Sequence, residues 1–260
     1  MRKIQRPVSK CIFCGIRYAN SKEDYWPKWL QPHLPKASPY TLFVTEGSEP
    51  RKINARVKGA PTEQTIEVVC KPCNNGWMSR IQNAASAHLK PYSTVGRTMS
   101  QTVQEVIATW ATIFTMVIEF YDPKLVMATD QDRHAMQFTG KSFSKPPPDW
   151  RIYMTQLQSN GEAVWFHTGA WARSEESELD RTLFTRIHFG TVGLIVVRLP
   201  GPYQRGYAGL DELCHQSGLH RIWPSQLRTI KFAQGLSARK FLFIASLMRQ
   251  SMLELLGAGH

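Results

Sequence analysis

Apolar residues recur at helical spacing in the middle of the chain and again near its end. Residues 102–120 have a wide apolar face, and this pattern predicts a mostly buried helix. Residues 237–256 predict a second long, amphipathic helix, whose apolar face would be either core or the surface of a homodimer. Shorter helices are expected after Thr129, near residues 209–216 and directly after Cys73.

Runs of β-branched and aromatic residues, separated by proline and glycine, predict strands. They span residues 40–45, 52–58, 65–69, 150–157, 163–167, 182–189 and 191–198. Ser21 followed by Asp24 resembles a capping box and predicts that a short helix begins there. This mixture indicates an α+β fold, in which the second part has a mostly antiparallel sheet with flanking helices.

The composition is that of a globular protein, since 42% of the 260 residues are hydrophobic and 20% are charged. These values exclude a disordered chain. The longest uncharged apolar run, residues 106–118, is shorter than the roughly 18 residues of a membrane span, so we expect no membrane association. The basic N-terminus leads into no apolar stretch, so we expect no secretory signal and a cytoplasmic location.

Positive charge is concentrated in the first part of the chain. Residues 1–100 carry 16 basic and 6 acidic side chains, residues 101–260 carry 16 and 14, and the whole chain has a net charge of +12. A basic module joined to a nearly neutral one is typical of proteins that bind polyanions, with nucleic acid as the first candidate. A basic surface without a partner is the alternative interpretation.

Four of the five cysteines form two Cys-x-x-Cys pairs, Cys11 with Cys14 and Cys70 with Cys73. In a reducing compartment two such pairs indicate a structural zinc site more often than two disulfides, because four thiolates complete a tetrahedron around Zn²⁺. A redox-active pair is the alternative, but neither pair lies in a βαβ context. The fifth cysteine is expected to be a small buried apolar residue, Cys214.

The order of these elements predicts two domains. Residues 1–95 would form a small zinc module. Its order would be a knuckle (the tight turn of one Cys-x-x-Cys pair), a β-hairpin, a second knuckle and a helix, which is the order of a treble clef. The second knuckle would be the first turn of its helix. Residues 96–260 would form an α+β domain of unknown role, in which we find no phosphate-loop, dinucleotide-binding or serine-hydrolase motif.

The motifs of the first ninety residues resemble those of a known family. The quoted segments are Cys-x-x-Cys at 11–14, Ser-Lys-Glu-Asp-Tyr-Trp-Pro-Lys-Trp-Leu at 21–30 and Val-Cys-Lys-Pro-Cys-Asn-Asn-Gly-Trp-Met-Ser at 69–79. This pattern is similar to the zinc-containing HNH endonucleases, also called ββα-metal or His-Me finger nucleases. The resemblance implies that the four paired cysteines hold zinc and that a second ion, Mg²⁺ or Mn²⁺, assists phosphodiester hydrolysis.

The resemblance also implies a catalytic set of Glu23, Asp24 and Asn74. Glu23 matches the acidic ligand of the catalytic metal, and Asn74 matches the last motif position. Asp24 stands where the family has its general-base histidine, and the middle asparagine of the motif is missing. Asp is a poor base at neutral pH unless it acts through metal-bound water.

These departures leave three interpretations open. The scaffold has lost catalysis and kept binding, or Glu23, Asp24 and Asn74 form an altered Mg²⁺ site of hard oxygen ligands. In the third interpretation His33 folds back as a substitute base, although an exposed loop histidine is the simpler reading. Helix capping is the structural alternative for Glu23 and Asp24.

Basic residues near these motifs are the candidate nucleic-acid contacts. Some flank the predicted helix start, where backbone N–H groups favour an anion, and some share one face of the predicted hairpin. The set is Lys22, Lys28, Lys52, Arg56, Lys58, Lys71 and Arg80. Among the neighbouring aromatic residues, Trp29 is expected in the core, while Tyr25 and Trp26 either pack inside or stack bases.

The sequence therefore predicts a zinc protein of HNH-endonuclease type that binds nucleic acid, with double-stranded DNA as the expected partner. Metal-assisted hydrolysis is one hypothesis for its activity. The alternative is a catalytically inactive binder or adaptor, such as a regulator, an inhibitor or a defence component, that contacts nucleic acid or a protein.

Overall fold

The computed structural model is a mixed helix and sheet structure, which is compatible with the α+β class. Every pair of named strands in it is antiparallel. It describes residues 10–33, 43–46, 49–52, 64–90, 98–122, 126–137, 144–174, 177–232 and 235–256.

The segment that begins at Ser21 is a strand, so the helix predicted there is wrong. Strand β1 (Ser21–Asp24) pairs with a strand far along the chain, which we label β4 (Thr65–Val69), and Ser21 lies opposite Val69. The backbone groups that a capping side chain would have satisfied are used in this long-range ladder. Helix capping is therefore excluded as the role of Glu23 and Asp24. A 3₁₀ helix follows at Lys28–His33.

Between β1 and β4 the chain forms a separate hairpin. Its strands are β2 (Phe43–Glu46) and β3 (Glu49–Lys52), which pair in register from Phe43 opposite Lys52 to Glu46 opposite Glu49. Strand β3 begins at Glu49, earlier than the predicted 52–58, because its pairing with β2 includes Glu46 opposite Glu49. Residues 53–58 lie outside the described part of the chain.

The second cysteine pair begins a helix, as the sequence predicts. Its first turn is α1 (Lys71–Cys73), a wider turn follows at Asn74–Met78, and α2 (Ser79–Leu89) continues it. The wide turn contains a non-helical residue, Gly76, with φ −92° and ψ −108°.

Strand β5 (Thr98–Ser100), which pairs with β9 (Thr229–Lys231), leads into the long apolar helix. This helix is α3 (Gln101–Ile118), which a short 3₁₀ turn extends to Tyr121. Residues Gln101–Tyr121 are long and apolar enough to cross a membrane by length and composition, but 83% of the most apolar window is buried inside the protein. Packing against the protein's own core thus accounts for the apolar character of this helix. The short helix α4 (Asp130–Ala135) has the predicted start, since Thr129 and Asp132 form a complete capping box.

The four strands predicted between residues 150 and 198 are two long ones. Strands β6 (Trp150–Ser174) and β7 (Ser177–Arg198) form one antiparallel hairpin, to which β8 (His220–Trp223) adds on the outer side of β6. The predicted strands stop at residues 157 and 189 and resume at 163 and 191, and Gly161 and Gly190 lie in these gaps. These glycines instead pair with each other where the register shifts, so that both strands continue past them.

This sheet is covered on both faces. Leu194 and Val196 belong to the same apolar cluster as α2 and α3, whereas Ile195 and Val197 belong to the cluster that contains the last two helices. Those helices are α5 (Tyr207–Ser217) and α6 (Ala238–Leu255). Burial on both sides explains why residues 191–198 are almost continuously apolar. The prediction for Cys214 is confirmed, since it is 2% exposed in the second cluster.

The apolar stripe of α6 packs within the chain. Phe241, Ile244 and Met248 are at most 3% exposed against the sheet and α5. On this helix two large apolar side chains remain exposed, Phe243 at 62% and Leu255 at 37%. The core interpretation therefore accounts for most of the stripe, and the homodimer stays a prediction.

Residues on both sides of position 95 share one apolar cluster. It includes Leu30 and Ile81 from the first part and Trp110 and Ile187 from the second. Trp29 also contacts Trp110, with ring centroids 5.7 Å apart. The division into domains 1–95 and 96–260 stays a prediction, but residues of the first part and α3 stabilise each other through this contact.

Candidate metal centre

The four paired cysteines meet at one point. Their sulfur atoms all lie within 4.8 Å of one another, and the Sγ atoms of Cys14 and Cys70 are 3.8 Å apart. A tetrahedron with Zn–S bonds of about 2.3 Å has edges of about 3.8 Å, so the spacing fits four ligands of one ion. Cys11 and Cys70 are each 1% exposed. The cluster can therefore hold a metal ion such as zinc.

Backbone hydrogen bonds shape both cysteine pairs. The N–H of Gly15 donates to the carbonyl of Cys11 at 2.9 Å, and Gly15 has φ 61°, which a residue with a side chain rarely adopts. The N–H of Asn74 donates to the carbonyl of Cys70 at 3.0 Å. Each of these bonds closes a tight turn, which brings the two sulfurs of that pair to the same side.

Further backbone bonds hold the first pair against the strand that leads to the second. The N–H of Ile12 donates to Val68 at 3.0 Å, and that of Asn20 donates to Val69 at 3.1 Å. In addition, the ring of Phe13 meets that of Trp77 edge to face at 5.1 Å. This contact packs the turn of the first cysteine pair against the helix that follows the second pair.

The thiols are arranged so that one ionises first. A hydrogen bond from the side chain of Cys73 lowers the pKa of Cys11 to about 4, although burial opposes this shift. The same hydrogen bond, together with burial, raises the pKa of Cys73. Metals bind thiolates, so loading of the site releases the remaining protons and makes metal affinity depend on pH.

The predicted catalytic residues lie next to this centre. Asn74, directly after Cys73, donates from Nδ2 to the Ser21 hydroxyl at 2.9 Å and also hydrogen-bonds the Glu23 carboxylate. Burial, and secondly the charge of Asp24, raise the pKa of Glu23 to about 7, and the hydrogen bond with Asn74 partly offsets this. All three predicted residues are half-buried.

Glu23 and Asp24 line a cleft between the zinc module and α3. One wall is apolar and comes from α3, and the other comes from β1 and the start of α2. Beside the two carboxylates its lining residues are Tyr25, Pro27, Met78, Ile81, Gln82, Trp110, Ile113, Phe114, Val117 and Ile118. The cleft thus combines acidic groups with a surface that excludes water from one side.

The aromatic residues after Asp24 pack inside the protein. Trp26 is 7% exposed, with its ring centroid 5.3 Å from that of Phe114, and the Tyr25 ring lies 5.4 Å from that of Tyr121. The expectation that Trp29 belongs to the core is confirmed by its contact with Trp110. These rings pack on α3 and its extension, so packing within the chain is the interpretation that the structure supports for Tyr25 and Trp26.

The structure describes only some of the basic candidates. Lys22, Lys28, Lys71 and Arg80 are exposed, the first on β1, the second at the start of the 3₁₀ helix and the last two around the helix start after Cys70. Arg56, Lys58 and the side chain of Lys52 lie outside the described residues, so the hairpin face stays a prediction. The side chain of His33 lies outside them too.

Three contacts near the cysteine cluster were not predicted from the sequence, and they involve Asn20, Ser21 and His134. The side-chain Oδ1 of Asn20 accepts a hydrogen bond from the N–H of Lys71 at 3.0 Å, and buried Ser21 orients Asn74. A side chain at Gly15 would meet the ring of His134 at 3.2 Å, so α4 lies over the first pair. No local pattern links His134 to this site, whereas the only local signal for Asn20 is that it directly precedes β1.

No protein-family model, curated protein or solved structure matches this chain. The resemblance to HNH nucleases therefore rests on the sequence motifs alone.

Proposed function

We propose that the protein binds nucleic acid through a zinc-stabilised, HNH-like treble clef formed by its first ninety residues. The support is the order of elements, in which a cysteine pair, paired strands, a second cysteine pair and a helix surround one cluster of four sulfurs. Exposed lysines beside this cluster supply positive charge for a phosphate backbone. Double-stranded DNA in the cytoplasm is the expected partner.

We further propose metal-assisted phosphodiester hydrolysis in the cleft next to the zinc module. The observation that carries this proposal is that Glu23 and Asp24 line one cleft, while Asn74, the residue after Cys73, is bonded through its side chain to Ser21 at the start of the same strand. Carboxylate and amide oxygens are ligands that Mg²⁺ and Mn²⁺ accept, and a cation would relieve the repulsion between Glu23 and Asp24. Such an ion supplies charge neutralisation at the phosphate and a more acidic bound water.

The chain's own residues have distinct parts in this proposal. Glu23 and Asp24 hold the ion and orient water, and Asn74 keeps the Glu23 carboxylate in place. The apolar wall from α3 limits water on the opposite side of the cleft, which strengthens electrostatic interactions there. Lys22 and Lys71 are available for the phosphates on either side of the scissile bond.

A second candidate is a binder or adaptor without catalysis. The observation that favours it is that the cleft lining contains no histidine among the described residues. Without an imidazole near Asp24, the proton of the attacking water must go to a carboxylate or to solvent.

A plasmid-nicking assay separates the two candidates. We expect the zinc-loaded protein to nick supercoiled DNA with Mg²⁺ or Mn²⁺, and Glu23→Gln to reduce the rate at least about a hundredfold because it removes charge at the ion. Glu67→Gln is the matched control, since Glu67 is exposed on β4 of the same two-stranded sheet. Cleavage that survives both Glu23→Gln and Asp24→Asn would exclude this cleft, and no cleavage by any variant favours the inactive binder.

The salt dependence of DNA binding tests the proposed surface. We expect affinity to fall steeply with salt, and Lys71→Ala to reduce the slope of log affinity against log salt by about one, because one phosphate contact is lost. Lys231→Ala, an exposed lysine on β9 (Thr229–Lys231), is the control and should keep the slope. If the wild-type protein does not bind DNA even at low salt, the result supports an adaptor that contacts a protein partner.

A further inference from the structure

Two of the most exposed apolar side chains in the described part of the chain stand in one short loop beside the metal centre. Ile16 is 81% exposed and Tyr18 is 75% exposed. Arg17, between them, is exposed as well. We call residues Ile16, Arg17 and Tyr18 the knuckle loop. Single exposed apolar residues are common on protein surfaces, but an aromatic ring displayed beside a cation in a fixed loop indicates a contact surface.

Hydrogen bonds hold the knuckle loop in place. The N–H of Cys11 donates to the carbonyl of Arg17 at 2.7 Å, and the N–H of Gly15 donates to the carbonyl of Cys11 at 2.9 Å. Phe13, on the inner side of this turn, is fully buried. The loop is therefore fixed by the metal centre before any partner binds, which reduces the entropy that binding costs.

The surroundings of the loop are basic. Lys10 is exposed directly before the first cysteine, and residues 10–22 contain no aspartate or glutamate. Asn20, two residues after Tyr18, bonds the N–H of Lys71 at 3.0 Å, so the exposed start of α1 lies beside the loop. Cations from two separate parts of the chain thus flank an exposed tyrosine ring.

An exposed aromatic ring among cations fits a strand with unpaired bases. The bases stack on the ring, while guanidinium and ammonium groups bind the phosphates. Inside a duplex the faces of the bases are covered by their neighbours and only their edges are presented in the grooves, so stacking on a ring there requires base steps to be unstacked, whereas unpaired bases stack without that cost. The chemistry of the loop therefore distinguishes single-stranded from double-stranded DNA.

We propose that the knuckle loop binds unpaired bases of a DNA strand, with Tyr18 stacking on a base and Arg17 and Lys10 contacting phosphates. This inference rests on the proposed function and narrows its substrate from duplex DNA to DNA that contains unpaired bases. None of its residues belongs to the predicted catalytic set, so binding by the loop and cleavage in the cleft are separable.

Fluorescence anisotropy with the zinc-loaded full chain tests the inference. The probes are a labelled oligothymidine of about 20 nucleotides and a blunt duplex of the same length. We expect tighter binding of the single strand, a loss of about tenfold in that affinity for Tyr18→Ala, and near wild-type affinity for Tyr18→Phe. Phe243→Ala is the matched control, because Phe243 is an exposed ring, at 62%, on α6 and outside the knuckle loop.

The outcomes separate the loop from the proposed function. If Tyr18→Ala and Phe243→Ala bind the single strand equally well, the inference is overturned while duplex binding and nicking still test the proposed function. If the wild type binds neither probe, both fail. A changed sedimentation coefficient for Tyr18→Ala would indicate a contact between copies of the chain and also overturn the inference. Zinc content is measured throughout, and Tyr18→Leu replaces the alanine variant if that variant loses zinc.

Discussion

Replacement of Cys70 by serine is expected to abolish zinc binding and to lower the melting temperature by more than about 10 °C. The sulfur of Cys70 is 3.8 Å from that of Cys14 and belongs to the set that fits one tetrahedral ion. Structural zinc contributes roughly 10–16 kcal/mol in small zinc modules, which is as large as the whole stability of an ordinary domain. The measurements are metal analysis of the purified chain and a thermal scan.

The loss of stability in Cys70→Ser should extend beyond the residues around the cysteines. Leu30 and Ile81 share an apolar cluster with Trp110 of α3, so unfolding around the cysteines exposes the core of the rest. Cys214→Ala is the control, because this buried cysteine lies in the other cluster and should cost stability without changing the zinc content. One zinc equivalent retained by Cys70→Ser would show that the four sulfurs do not share an ion.

The sequence predicted the cluster of four cysteines well because its information is local. Two Cys-x-x-Cys pairs fix two ligands each on a tight turn, and the only long-range requirement is that the turns meet. The same holds for the capping box at Thr129, where every partner lies within three residues. Patterns of this kind depend on spacing along the chain, which the sequence shows directly.

Predictions failed where distant segments compete with a local signal. Ser21 resembles a helix cap, yet its backbone pairs with β4 and its hydroxyl accepts a hydrogen bond from Asn74. The gaps between the predicted strands, at residues 158–162 and at residue 190, are absent because Gly161 and Gly190 pair with each other across one hairpin. Cross-strand pairing stabilises each of these segments more than its local preference does, and no single window of sequence shows the partner.

The proposed site combines both kinds of information. The sequence singled out Glu23 and Asn74 through a motif, although it placed Glu23 on a helix. The strand geometry is what brings Glu23 to Asn74, since β1 pairs with the strand that leads into Cys70. The raised pKa of Glu23 follows from burial beside α3, a contact between segments that the sequence assigned to different domains.

Replacement of Glu119 by alanine is expected to destabilise the protein by roughly 3–5 kcal/mol. Its Oε1 lies 2.6 Å from a guanidinium nitrogen of Arg133, and the two side chains are 0% and 4% exposed. Its Oε2 accepts hydrogen bonds from the N–H groups of Met127 and Ala128 at 2.9 and 3.1 Å. In the variant, the buried guanidinium of Arg133 and the N–H groups of Met127 and Ala128 lose these interactions. Denaturant unfolding measures the resulting decrease in the free energy of unfolding.

The same helix offers a matched control for this prediction. Glu105 of α3 pairs with Lys145 at 3.1 Å, but the lysine side chain is 57% exposed, so Glu105→Ala should cost less than about 1 kcal/mol. If the penalty comes from an uncompensated charge, the double variant Glu119→Leu with Arg133→Met recovers much of the stability, because no buried charge remains. Equal losses for Glu119→Ala and Glu105→Ala would instead show that Arg133 reaches water or another carboxylate when Glu119 is removed. Asp130 is the carboxylate that would then pair with the guanidinium of Arg133, since it lies 3.1 Å from it and its side chain is 88% exposed.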